Sequence, residues 1–311
     1  MKQLFGKAVT ARRFRLSLLA AGLFSLSVST FAASVTVGGA NFTESSILAN
    51  IYASALKKNH IEANTRLNLG NREIIIPALQ SGEIDIVPEY LGALLNFYNG
   101  KTEATSQQAV SAELAQALPA DFTLLNPAPA TSITAWAVRA ETAEKYHLRT
   151  LSDLKPVAPQ LVIGGPPELA VRALGLPGLK RVYGLEFKAV KSLDMGGPLT
   201  RLALNSGKID VATVVSTQGN LAKEKWVVLE DDKHEQPSQN VVPLVRKASL
   251  TPEISAVLNE VSGKLDNATL IALNQQVDLQ HKDPAAVADA CARLDHGEVT
   301  HVASFAQRGF G

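Results

Sequence analysis

Hydrophobic and polar positions repeat along this chain in one order, twice. Val35-Thr36-Val37-Gly38-Gly39 and Leu161-Val162-Ile163-Gly164-Gly165 are short apolar runs closed by Gly-Gly, and each predicts a buried strand leading to a Glu (Glu44, Glu168) that opens a helix. Further on, Ala78-Leu79-Gln80-Ser81-Gly82-Glu83-Ile84-Asp85-Ile86 returns as Ala203-Leu204-Asn205-Ser206-Gly207-Lys208-Ile209-Asp210-Val211, identical at six of nine positions. Each copy predicts a helix stopped by glycine and followed by a short buried strand. Gly38 and Gly82 are 44 residues apart, and Gly164 and Gly207 are 43 apart. The same parts at the same spacing predict two α/β lobes of similar construction.

Between these landmarks the pattern is helical. Asn41, with Glu44 three residues on, reads as an N-cap and capping-box partner, with Thr43 as an alternative cap. Ile47, Leu48, Ile51, Ala55 and Leu56 follow as one apolar stripe, and Lys57-Lys58 close the helix where its dipole favours cations. Leu67-Asn68-Leu69 reads as the next strand, and Gly70-Asn71-Arg72 as the turn into a helix that Pro77 must bend or deprive of one bond. Three helical patterns end the chain: Pro252 to Leu265, Ala268 to Leu279, and Pro284 to Leu294 with Asp283 as cap.

Asn126-Pro127-Ala128-Pro129-Ala130 and Pro237-Ser238-Gln239-Asn240 are the two candidate crossings between lobes. They divide the chain into residues 33–131 and 238–311, sharing the first lobe, and residues 132–237, forming the second.

Charge changes the picture at the N-terminus. The chain of 311 residues carries 30 Lys+Arg against 29 Asp+Glu, a balance that argues against a nucleic-acid partner. Five of the basic residues lie in the first 15 positions, before the apolar run Leu16–Phe31 and the small residues Ala32-Ala33-Ser34. This is the shape of a secretory signal peptide, residues 1–32, cleaved after Ala32. A membrane anchor is the alternative, but 16 residues interrupted by three serines fall short of the roughly 20 that span a bilayer. Removing the leader leaves a net charge of −4. Cys291 is the single cysteine, so an intrachain disulfide is excluded; it follows no apolar run as a lipid-attachment cysteine would. A free periplasmic protein is expected.

Candidate chemistry favours binding over catalysis. The chain has no G-x-S-x-G elbow, H-E-x-x-H, P-loop or G-x-G-x-x-G. Cys291, His296 and His301 are close in sequence, but Cys291 shares an apolar face with Val287 and Leu294 and reads as a small core residue. Asp231-Asp232-Lys233-His234-Glu235 reads as a solvated loop. No cofactor or metal is expected. In two α/β lobes a ligand sits where strand ends meet helix N-termini: the loops after the two Gly-Gly strands, Gly70 to Arg72, Pro88-Glu89-Tyr90 and Ser216-Thr217.

Those loops carry a resemblance. Gly38-Gly39-Ala40-Asn41-Phe42-Thr43-Glu44, the segment from Ser81 to Tyr90, Gly165-Pro166-Pro167-Glu168, Pro177 to Lys180, Tyr183-Gly184-Leu185 and Val228 to His234 resemble the substrate-binding proteins of osmoprotectant (glycine betaine, choline, carnitine) ABC importers. The resemblance implies a two-lobed clamshell of periplasmic type II, each lobe a mixed sheet flanked by helices. It implies a small quaternary-amine or zwitterionic ligand, docking on a permease driven by an ATPase, and a monomer. It also implies an aromatic cage around a trimethylammonium head and basic groups on a carboxylate. Carried over by position, Tyr90 matches a cage tyrosine and Arg172 a carboxylate-binding arginine. Ala40 stands where relatives have lysine, and Thr134, Val215 and Gln239 where they often have aromatic residues. The expected ligand contacts are Tyr90, Asn41, Thr43 and Asn71 from one lobe and Arg172, Thr134 and Ser216 from the other. A binding protein for another small carboxylate or amino-acid-like ligand, or a periplasmic sensor component, is the alternative.

Overall fold

The computed structural model describes residues 34–293, so the leader read at 1–32 and the positions of Leu294, His296 and His301 lie outside the described residues. In chain order the main elements are β1 (Val35–Gly38), α1 (Thr43–Lys58), β2 (Ala63–Arg66), α2 (Arg72–Ser81), β3 (Ile86–Tyr90), α3 (Leu91–Tyr98), α4 (Gln107–Ala117), β4 (Phe122–Leu124), β5 (Thr134–Arg139) and α5 (Ala140–Tyr146). They continue with β6 (Val162–Gly165), α6 (Leu176–Tyr183), β7 (Ala189–Ser192), α7 (Pro198–Asn205), β8 (Val211–Val215), β9 (Trp226–Leu229), β10 (Val241–Arg246), α8 (Pro252–Lys264), α9 (Asn267–Asp278) and α10 (Pro284–Arg293).

The strands form two five-stranded sheets, β2-β1-β3-β10-β4 and β7-β6-β8-β5-β9. In each, three parallel strands are followed by two antiparallel ones. The repeat read in the sequence therefore extends to topology. It also extends to single contacts. Asp85 accepts the Thr36 N–H at 2.8 Å and Asp210 accepts the Val162 N–H at 2.9 Å, each pinning the Gly-Gly strand of its lobe. Arg246, ending β10, bonds Asp85, and Arg139, ending β5, lies 3.5 Å from Asp210. A Cβ on Gly38 would lie 2.4 Å from Ile84, and one on Gly164 would lie 2.7 Å from Ile209, so the two Gly-Gly strands need glycine to pack on the isoleucines of the repeat.

The strand expected at Leu67–Leu69 is instead Ala63–Arg66. β2 is an edge strand whose register against β1 ends at Gly38 and Arg66. Leu67 and Leu69 pack over Gly39 and Gly38, so their apolar signal reports a cover on the glycines rather than strand pairing. The helix of residues 72–81 continues through Pro77, which is exposed.

α1 is buried along Ile47, Leu48, Ile51 and Leu56 and packs against α8, α9 and α10, so the C-terminal helices cover the first sheet's lobe. Thr251 and Asp266 cap α8 and α9, and Asp283 accepts the Ala285 and Ala286 N–H groups at the start of α10. Cys291 is partly buried beside Val287, and burial pushes its thiol pKa up. The second lobe has its own core around Trp136, Leu154, Ile163, Leu179 and Tyr183. Chain segments joining the sheets run side by side: Thr131 bridges Asn240, and Ser132 N–H donates to the Gln239 carbonyl at 3.0 Å. Among the described residues no helix is long and apolar enough to cross a membrane.

Candidate functional site

α1 begins at Thr43 with Phe42 at the N-cap position and no side-chain cap, which corrects the expectation that Asn41 caps it with Glu44 as its partner. Asn41 is exposed, and Ser45 instead reaches back to accept the Ala40 N–H at 2.8 Å. Glu44 is freed for a different task. Its carboxylate is only 4% exposed and is met by three donors. Tyr90, at the end of β3, donates its hydroxyl at 2.7 Å; Thr217, in the loop after β8, donates at 2.5 Å; and Asn274 of α9 donates at 2.7 Å. Thr217 belongs to the second sheet's lobe, so one carboxylate ties the two lobes together.

The Thr217 proton is engaged by Glu44, so Ser132 must be the donor in the 2.8 Å contact between their hydroxyls. Asn274 also donates to the Thr217 carbonyl at 2.8 Å, which uses both amide hydrogens. Its Oδ1 is buried without a partner among the described residues. One turn on, Asp278 accepts the Gly219 N–H at 3.2 Å and the Thr43 hydroxyl. Burial raises the Asp278 pKa, and those two bonds offset part of the shift. A Cβ on Gly219 would lie 2.4 Å from the Gln275 backbone nitrogen, so only glycine lets this loop seat on α9.

Phe42 and Tyr90 form a tilted ring pair, centroids 6.3 Å apart. Burial, then the nearby Glu44 carboxylate, pushes the Tyr90 pKa well above its ordinary value, so its hydroxyl stays protonated and donating. Next to it, Arg72 and Glu89 form a bidentate pair at 2.8 and 2.7 Å. Burial alone would lower the Arg72 pKa, but the charge and hydrogen bonds of Glu89 outweigh it. Arg172, from the loop after β6, reaches across to Glu73 of α2 at 3.0 Å and lies 3.6 Å from Glu168.

Thus Tyr90 and Thr43 converge on the contacts around Glu44 and Asp278, while Arg172 meets the start of α2, where Asn71 is the N-cap. Asn41 stands beside that turn, its N–H donating to the Gly70 carbonyl at 3.2 Å. Ser216 accepts the Ile133 N–H at 3.0 Å, and Thr134 pairs with Val215 at the edge of the same junction. Gln239, where relatives often have a ring, caps α3 by accepting the Ala93 N–H at 2.9 Å.

Sequence reasoning missed Phe42, Glu44 as a junction residue, Glu73 and Asn274, and named Thr217 only as part of a loop. Phe42 and Glu44 stand inside a segment already singled out, but the local capping pattern gave Glu44 a nearer explanation. The expectation of a solvated loop at residues 231–235 is also corrected. Asp231 accepts the Tyr183 hydroxyl and the Glu235 and Gln236 N–H groups, and Glu235 is 5% exposed beneath Gly178. Its charge run is half surface and half core. No group of three metal-ligating side chains occurs among the described residues.

Two similar α/β lobes, with loops at their strand ends and contacts running between them, define a two-lobed solute-binding protein. Residues 33–291 match the family model described as the substrate binding domain of ABC-type glycine betaine transport system, and the chain belongs to that family. It is 32% identical over 293 residues to a glycine-betaine-binding protein of Pseudomonas aeruginosa, covering 90% of this chain and 94% of that one. It is 28% identical over 271 residues to the glycine betaine-binding protein YehZ of Escherichia coli, covering 83% and 89%. A crystal structure described as a glycine betaine/carnitine/choline ABC transporter superposes with a TM-score of 0.68 at 27% identity, covering 86% of this chain and 99% of that one.

Proposed function

We propose that this chain captures a small quaternary-amine or zwitterionic osmoprotectant in the periplasm, after loss of residues 1–32, and delivers it to a membrane permease driven by an ATPase. Residues 33–131 and 238–311 act as one lobe and 132–237 as the other, in a monomer that binds its ligand without turning it over. The carrying observation is the junction around Glu44: Thr217 from one lobe and Tyr90 and Asn274 from the other share its carboxylate, beside the Phe42–Tyr90 ring pair.

A methylated ammonium ion donates no ordinary hydrogen bonds and is held by ring faces and by negative charge, each ring contributing roughly 0.5–2 kcal/mol. Two rings and a buried carboxylate supply both at the junction. A ligand that touches both lobes favours the closed state by its differential affinity, and the permease reads that state.

The test is a calorimetric titration of the purified protein with glycine betaine, choline, carnitine, ergothioneine and amino acids. At least one quaternary amine binds, and Tyr90→Ala weakens it tenfold or more. A folded protein that binds none of them refutes the reading.

A further inference from the structure

Four carboxylates and two guanidinium groups meet where the lobes face each other, and their pairing discriminates between ligands. Arg72 is held by both oxygens of Glu89. Arg172 lies between Glu73 at 3.0 Å and Glu168 at 3.6 Å. Glu44 is met by the neutral donors of Tyr90, Thr217 and Asn274. The position just before the Asn41–Glu44 segment is Ala40, which brings no charge.

A ligand carboxylate entering this cleft needs a cation. Arg72 gives its Nε–Nη2 edge to both oxygens of Glu89, whose carboxylate already balances its charge. At Arg172 the ligand must either displace Glu73, and so break a contact that joins the lobes, or place a third carboxylate around one guanidinium, where like charges repel. A ligand with positive charge and no carboxylate meets neither conflict. Beside Glu44, Asn274 Oδ1 is buried without a partner among the described residues, on the same amide that serves Glu44, and as an acceptor it suits a ligand hydroxyl better than a ligand carboxylate.

We infer that Glu73 is a specificity-determining residue: by occupying Arg172 from the facing lobe, it makes the site select a methylated ammonium ion carrying no carboxylate, such as an ammonium alcohol, over a zwitterion. The inference rests on reading the cleft as a quaternary-amine site. Glu73 does from within the protein what the carboxylate of a zwitterionic ligand would do from outside, and its side chain is half-exposed on the first turn of α2, so it can be changed without opening the core.

The experiment is isothermal titration with choline and with glycine betaine, at low ionic strength, of the wild-type protein, Glu73→Gln and Glu73→Gln/Glu168→Gln. The wild type binds choline at least tenfold more tightly than glycine betaine. Glu73→Gln narrows that ratio tenfold or more, chiefly by a gain in betaine affinity as Arg172 is released, and the double variant narrows it further. Betaine binding as tight as choline in the wild type, or an unchanged ratio in both variants, overturns the inference and leaves the quaternary-amine reading intact. Binding of neither ligand by protein that unfolds cooperatively overturns that reading and the inference together.

Discussion

Thr217 donates its hydroxyl to Glu44 at 2.5 Å across the boundary between the lobes, although the two residues are 173 positions apart. The bond exists only while the lobes are together, so its free energy belongs to closure rather than to the folding of either lobe. Hydrogen bonds to charged groups contribute about 1.5–3 kcal/mol, and each 1.4 kcal/mol is about tenfold in affinity. Thr217→Val should therefore weaken binding of choline or glycine betaine by about ten- to a hundredfold, with little change in the melting temperature of the unliganded protein. Calorimetry and a thermal melt on the same sample separate the two effects.

Gly219 tests closure sterically. An added methyl would meet the α9 backbone at Gln275. Gly219→Ala should hold the lobes apart, which small-angle scattering would register as a larger radius of gyration in the presence of ligand, and affinity should drop more than tenfold. A variant as compact as the wild type would show that the loop can seat elsewhere.

The paired aspartates of the repeat make a stability prediction. Asp85 receives Thr36, Ser249 and Arg246, whereas Asp210 receives Val162 and a more distant Arg139. Burial would raise the Asp85 pKa, but these donors outweigh it and the net shift is downward. The resulting stabilisation is present above the unfolded carboxylate range and is lost as pH falls through the lowered value. Asp85→Asn should cost about 1–3 kcal/mol at pH 7, more than Asp210→Asn, and the difference should shrink in acid. Chemical denaturation at pH 7 and pH 3 measures both.

Glu235 should act in the opposite direction. Burial raises its pKa to about 7, with Asp231 adding to the shift and Gln236 and Arg181 opposing it. A carboxyl that is easier to protonate folded than unfolded stabilises the fold at low pH, and that contribution is lost as pH rises through the folded value. The wild type should lose stability between about pH 5 and pH 8, and Glu235→Gln should flatten the dependence and raise the melting temperature at pH 8. Each kcal/mol recovered corresponds to roughly 2–4 °C in a protein of this size. Parallel pH profiles for the two proteins would refute this assignment.

Much of the fold was legible because it is written in local patterns that occur twice. The Gly-Gly strands, the helix stops at Gly82 and Gly207 and the isoleucine–aspartate pairs each depend on residues close in sequence, and both glycines take the left-handed backbone expected of a helix stop, with φ of 79° and 70°. The misread segments fail for a local reason as well. Leu67 and Leu69 look like a strand because covering a glycine and pairing in a sheet leave the same apolar spacing. Glu235 looks solvated because its neighbours Asp232, Lys233 and His234 are.

By itself the sequence determined the two-lobed α/β plan and the solute-binding family, since periodicity, glycine stops and motif resemblance are properties of short stretches. Tertiary structure alone decided how the charges pair. Glu44 meets partners 46, 173 and 230 residues away, and Arg172 meets Glu73 from 99 residues away. The linear chain shows a charge, but whether that charge is open to a ligand or already held depends on what the fold brings within about 3 Å of it.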